Sequence, residues 1–135
     1  MNYKTVLGVD YGTKRIGLAI SRGTLAIPLQ VIFNIKSPIS RQLPITKIKN
    51  ICRKEEVELI VMGLSEDGMA EQTKGFAKKL QAVTNLPLEY FDETLSSQEV
   101  EKKLKSKSIR KSKRLGHIDH YAAAQILQEW MDTSN

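Results

Sequence analysis

The chain has 135 residues, 41% of them hydrophobic, with 21 lysines and arginines against 15 acids for a net charge of +6. That length is one domain with room for a core, and no apolar run reaches the roughly 20 residues of a membrane span. The start, Met1-Asn2-Tyr3-Lys4, lacks an apolar signal region and the single Cys52 has no disulfide partner, so the expectation is one cytoplasmic domain over residues 1–135.

The first predicted strand is Lys4–Asp10. Gly12 then turns the chain, and Ile16, Leu18 and Ile20 alternate with smaller residues in a returning strand over Arg15–Ser21. Leu25–Ile35 is a third strand with Pro28 early in it, which suits an edge or a bulge because proline has no amide donor. Ser37-Pro38 breaks the pattern. A helix is expected within Ile39–Lys54, with Pro44 as an alternative start at its first turn. Ile45, Ile48, Ile51 and Cys52 form its apolar stripe, in which Cys52 reads as a buried core thiol.

Val57–Gly63 is the most apolar short run and reads as a buried, central parallel strand. Met69, Thr73, Phe76, Ala77 and Leu80 mark one face of the next helix, which ends at Thr84-Asn85. Leu86–Phe91 is a fifth strand, followed at once by Asp92 and Glu93. Ser96 and Glu99 have capping-box spacing and start another helix. A last helix covers Gly116–Met131, where Ala122-Ala123-Ala124 allows close packing on a sheet and Trp130 anchors the core. Three meandering strands followed by alternating helix and strand give an α/β fold. Its mixed five-stranded sheet has helices on both faces, the fourth strand beside the first and the fifth outside it.

The positive charge is concentrated. Residues 102–114 hold eight cations and no acid: Lys102, Lys103, Lys105, Lys107, Arg110, Lys111, Lys113 and Arg114. The other 13 basic residues face 15 acids, so the rest of the chain is slightly acidic at −2. A block of this kind is either a solvated loop or a polyanion contact, and eight like charges repel without a partner. Lys14 and Arg15, just past the hairpin turn, are further candidates for phosphate contact.

Acids gather at the opposite end of the charge scale. Asp10 ends the first strand, and Asp92 and Glu93 end the fifth, which runs the same way; ligands of such sheets bind beyond the carboxyl ends of parallel strands. Asp119 opens the last helix, with Ala122, Ala123 and Ile126 on its face. Each acid has an ordinary reading, Asp10 as a turn residue and Asp119 as a first-turn partner of the helix dipole. Three carboxylates at one sheet edge repel unless cations bind, and a pair of Mg²⁺ ions shared with substrate phosphates relieves this. Two such ions suit phosphodiester hydrolysis. His117 and His120 flank Asp119 and could move a proton, although helix-capping or surface roles are more ordinary; no zinc-finger spacing accompanies them.

The run Gly8-Val9-Asp10-Tyr11-Gly12-Thr13-Lys14-Arg15-Ile16-Gly17-Leu18-Ala19 resembles the opening signature of the YqgF family of ribonuclease-H-like nucleases. The resemblance continues through Gly63-Leu64, Asp67-Gly68, Asp92-Glu93-Thr94-Leu95-Ser96-Ser97 and Ile118-Asp119 with Ala122-Ala123. It implies a ribonuclease-H-like fold with Asp10, Glu93 and Asp119 as metal-binding catalytic acids and Mg²⁺ or Mn²⁺, two ions, as cofactor. The implied activity is processing of the 5′ end of pre-16S ribosomal RNA, with resolution of four-way DNA junctions as the alternative. The basic residues Lys14, Arg15, Lys105, Lys107, Arg110, Lys111, Lys113 and Arg114 would then hold structured nucleic acid, in a monomer or weak homodimer. The sequence departs from the family pattern at Ser65, where proline is usual, and at Thr94, where arginine is usual. A non-catalytic RNA-binding module is the competing class; an actin-like ATP-binding reading of Asp10-Tyr11-Gly12-Thr13 needs a second such domain, for which the chain is too short.

Overall fold

A computed structural model describes residues 3–34, 43–64, 70–92 and 119–133. The sheet is built from β1 (Val6–Tyr11), β2 (Arg15–Ser21), β3 (Ala26–Phe33), β4 (Leu59–Leu64) and β5 (Leu88–Asp92), in the spatial order β3-β2-β1-β4-β5. β1–β2 and β2–β3 are antiparallel, while β1–β4 and β4–β5 are parallel, as the sequence predicts. Helices α1 (Pro44–Lys54) and α2 (Ala70–Thr84) follow β3 and β4, and α3 (Asp119–Thr133) is the last described element. The helix expected after Ser96, the basic block and the stretch around His117 lie outside the described residues.

The turn from β1 to β2 requires a glycine at position 12: a Cβ there would lie 2.5 Å from the Arg15 carbonyl oxygen. The register of β3 against β2 slips between Leu18 and Ala19, where Pro28 faces Ala19 on the edge strand, the bulge or edge that proline demands. Helix α1 begins at Pro44, the later of the two starts that the sequence allows, with Arg53 and Lys54 in its last turn against the helix dipole.

Strands β1, β4 and β5 are shifted relative to their predicted bounds, and backbone bonding explains the later start of β4. The Val57 N–H donates to the Cys52 carbonyl, which closes α1, and the Glu58 N–H donates to the Thr5 carbonyl. Those β-prone residues therefore lead into β4 rather than belong to it. At the other end β1 extends one residue past Asp10, to Tyr11.

Strand alternation sorts the core into two layers. Leu7 and Val9 of β1 pack with Ile60 and Met62 of β4 under α1 and α2. Val6 of β1 and Leu59 and Val61 of β4 pack with Ala123, Leu127 and Trp130 of α3 on the other face. Cys52 belongs to the first layer, and burial pushes its thiol up from 9.0 to about 11. A raised thiol stabilises the fold while it stays protonated, so this contribution is lost as pH rises from about 9 to about 11. At neutral pH a thiol reagent should label Cys52 only at the rate of unfolding, in one step with the loss of circular dichroism.

Candidate active site

Asp10 lies on the face of β1 that carries α3. It is two residues from Gly8, and a Cβ on Gly8 would point straight at that helix, 2.8 Å from Leu127 Cβ and 3.1 Å from the Ala123 carbonyl oxygen. Residues i and i+2 share a face of a strand, so the half-buried Asp10 side chain shares it too. Tyr11, one residue on, points to the opposite face, where its ring meets Phe76 of α2 at 4.7 Å. Packing against α2 is the role the structure gives Tyr11.

Helix α3 runs antiparallel to β1. Its last turns lie near the start of the strand, where the Ser21 hydroxyl donates to Met131 Sδ at 3.2 Å and Ser21 pairs with Val6. Leu127 and Ala123 lie over Gly8, two residues further up. Two strand residues advance roughly 6.6 Å and four helical residues roughly 6 Å. The same stride carries the helix from Leu127 and Ala123 over Gly8 towards the Asp10 end of β1, where its first turn, headed by Asp119, lies. Gln128 fixes this axial register: its side-chain oxygen accepts from the Ala26 N–H at 2.9 Å and its amide donates to the Thr24 carbonyl at 3.0 Å. The sequence thus seats α3 closely on β1 through a small residue in the strand and a three-alanine run in the helix. The glycine's role shows only against residues more than a hundred positions away, which strand propensity does not report.

The surroundings of Asp10 on this face are short of side chains. Its cross-strand partner is Gly17, and Gly63 follows Met62, which pairs with Val9 on the other side. Asp92 is different. It pairs with Leu64, and alternation along β5 gives it the face of Leu88, whereas Phe91 packs with the α3 layer. Asp10 and Asp92 therefore lie on opposite faces of the sheet. Glu93, the acid that the family resemblance singles out, lies outside the described residues, as do Lys105, Lys107, Arg110, Lys111, Lys113, Arg114 and His117. Asp119 and His120 are described as helical backbone.

The hairpin tip beside Asp10 is held from a third strand. The Asn34 N–H donates to the Lys14 carbonyl at 2.8 Å, and the Asn34 side-chain amide donates to the Gly12 carbonyl, also at 2.8 Å. Lys14 and Arg15 are exposed on this pinned turn. Sequence patterning gives no hint of Asn34, which falls inside the predicted strand Leu25–Ile35 and one position past the observed end of β3.

Carboxylate oxygens are hard donors suited to Mg²⁺ or Mn²⁺. Cys52, the one thiol of the chain, is buried in the opposite layer. Among the described residues no three His, Cys, Asp or Glu side chains converge on one point, and no helix is long and apolar enough to cross a membrane.

A family model described as RuvX, Holliday junction resolvase, matches residues 4–133. A Synechocystis protein named as a pre-16S rRNA nuclease is 39% identical over 132 residues, covering 93% of this chain and 86% of its own. A protein of the same name from Anaeromyxobacter sp. strain K is 36% identical over 132 residues, covering 93% and 95%. Among solved structures, T. thermophilus RuvC in complex with a Holliday junction substrate superposes with a TM-score of 0.61 at 14% identity, over 96% of this chain and 94% of that one. The fowlpox virus Holliday junction resolvase gives 0.51 at 11% identity, over 97% and 99%. At such identities these two likenesses establish the ribonuclease-H-like fold.

Proposed function

The chain belongs to the RuvX family of nucleases, and from that premise we propose that it hydrolyses phosphodiester bonds of pre-16S ribosomal RNA with the help of divalent metal ions. The observation that supports the reading is the close seating of α3 on β1 at Gly8, with the helix starting towards the Asp10 end of that strand and Gly17 rather than a larger side chain across from the acid. Asp10, Asp119 and Glu93 would hold two Mg²⁺ or Mn²⁺ ions; of the two acids after Phe91, Asp92 lies on the wrong face to join Asp10, which favours Glu93. Bound there, such ions activate water and neutralise the leaving oxygen. The protein's own part is to fix carboxylates on rigid elements, Asp10 inside a strand and Asp119 on a docked helix. The exposed Lys14 and Arg15 grip the backbone next to the scissile bond, and the block Lys105, Lys107, Arg110, Lys111, Lys113 and Arg114 holds a more distant stretch. Contacts of that kind make affinity fall steeply with salt.

Ribosomal RNA is preferred to a DNA junction because the relatives at 35–39% identity carry the ribosomal name, whereas the likenesses to junction resolvases stand at 14% and 11%. The test is a parallel cleavage assay on a pre-16S 5′ fragment and a four-way DNA junction, each with Mn²⁺, Mg²⁺ or a chelator. Metal-dependent cleavage of the RNA is the expected result. Paired symmetric nicks in the junction with intact RNA would replace this substrate with the junction, for which two copies of the site must act together. Binding without cleavage under any metal would make the chain an RNA-binding module.

A further inference from the structure

We propose that Phe33 is a stacking platform for an unpaired base of the substrate, set beside the cations of the β1–β2 turn; the inference rests on reading the chain as a nuclease. Phe33 ends the edge strand and is 60% exposed. A lone exposed apolar side chain is ordinary; the placement of this one is not. It pairs in register with Arg15, and Gly17, two residues along β2, pairs with Asp10. Strand alternation therefore puts Asp10, Arg15 and Phe33 on one face. Phe33 lies two strands across from Asp10 and two residues beyond it, which is roughly 12 Å between Cα atoms. That is within a few nucleotides of a phosphate held at Asp10.

The strand end that carries the ring is also anchored. The next residue, Asn34, makes two 2.8 Å hydrogen bonds to the turn, which tie the backbone at Phe33 to the backbone that carries Lys14 and Arg15. An exposed aromatic fixed next to two exposed cations is the combination that binds single strands, cations on phosphates and ring on base face. A duplex offers no free base face there, so Phe33 would select substrates with unpaired nucleotides near the cut.

The test measures binding of a fluorescein-labelled single-stranded RNA of roughly 12 nucleotides, matched to the site size of such grooves, and of the same strand fully paired. A chelator keeps both intact. Phe33→Ala should weaken single-strand binding roughly tenfold and duplex binding by at most about twofold, with an unchanged melting temperature. Phe33→Trp should restore binding and report it, because the new indole is quenched on stacking while the native Trp130 is buried. Equal losses on both RNAs, or no loss, would overturn the inference while wild-type binding and cleavage still uphold the nuclease reading. Unchanged binding with a shift from dimer to monomer in sedimentation would assign the ring to a second copy of the chain and overturn it as well. A wild type that neither binds nor cuts either RNA would overturn both readings.

Discussion

If Asp10 holds metal as proposed, Asp10→Asn should lower metal-dependent cleavage by at least about a hundredfold, while the protein melts as the wild type does. Loss of a partner one step removed from a metal commonly costs 10- to 100-fold, so loss of a direct ligand sets that range as the minimum. Asparagine matches aspartate in shape, and the position is half-buried beside Gly17, so packing is unchanged. What changes is one negative charge at the end of β1. Without metal, the melting temperature should stay close to that of the wild type. With Mn²⁺, the wild type should gain stability by mass action and Asp10→Asn should gain less. Cleavage rates and thermal melts across a Mn²⁺ titration measure both. A mutant that cuts at the wild-type rate would remove Asp10 from the chemistry.

Gly8→Val is the second large effect, and it acts without touching an acid. The first added carbon would already lie 2.8 Å from Leu127 Cβ and 3.1 Å from a backbone oxygen of α3. Neither obstacle is the free end of a flexible side chain, so the helix must lift or slide. Overpacking of this kind costs about 1–3 kcal/mol. The functional loss should exceed the loss of stability, because a displacement of about 1 Å at a reacting site costs on the order of a hundredfold in rate. Gly23→Ala is the matched control: a Cβ there meets nothing within 4 Å, and stability should stay within about 0.5 kcal/mol. Chemical denaturation and cleavage at a temperature where both variants remain folded separate the two effects. A Gly8→Val protein with full activity would mean that the seating of α3 does not govern the site.

Legibility in the sequence followed the range of the forces involved. β2 is predicted at its observed bounds, Arg15–Ser21, because Ile16, Leu18 and Ile20 alternate between turn residues, a signal wholly within the element. Pro44 marks the start of α1 for the same local reason. Val57 and Glu58 look like strand, yet their amides close α1 and bond to Thr5, partners that propensity does not see. The site divides in the same way. Asp10 and Asp119 stand out as acids beside apolar runs, whereas Gly8 reads as a weak point in a strand until Ala123 and Leu127 are brought against it. The choice between Asp92 and Glu93 is open in the sequence alone; the register of β5 turns Asp92 to the other face.

The seating of α3 on β1 has a consequence for the timing of activity. The two acids proposed for the site come from the first strand and from the last described helix, whose residues cover one face of the sheet. A domain folds as a unit, and contacts between distant segments form late. On the proposed reading, a growing chain carries Asp10 harmlessly until α3 docks. An enzyme that cuts RNA would thereby become competent only as its own folding finishes.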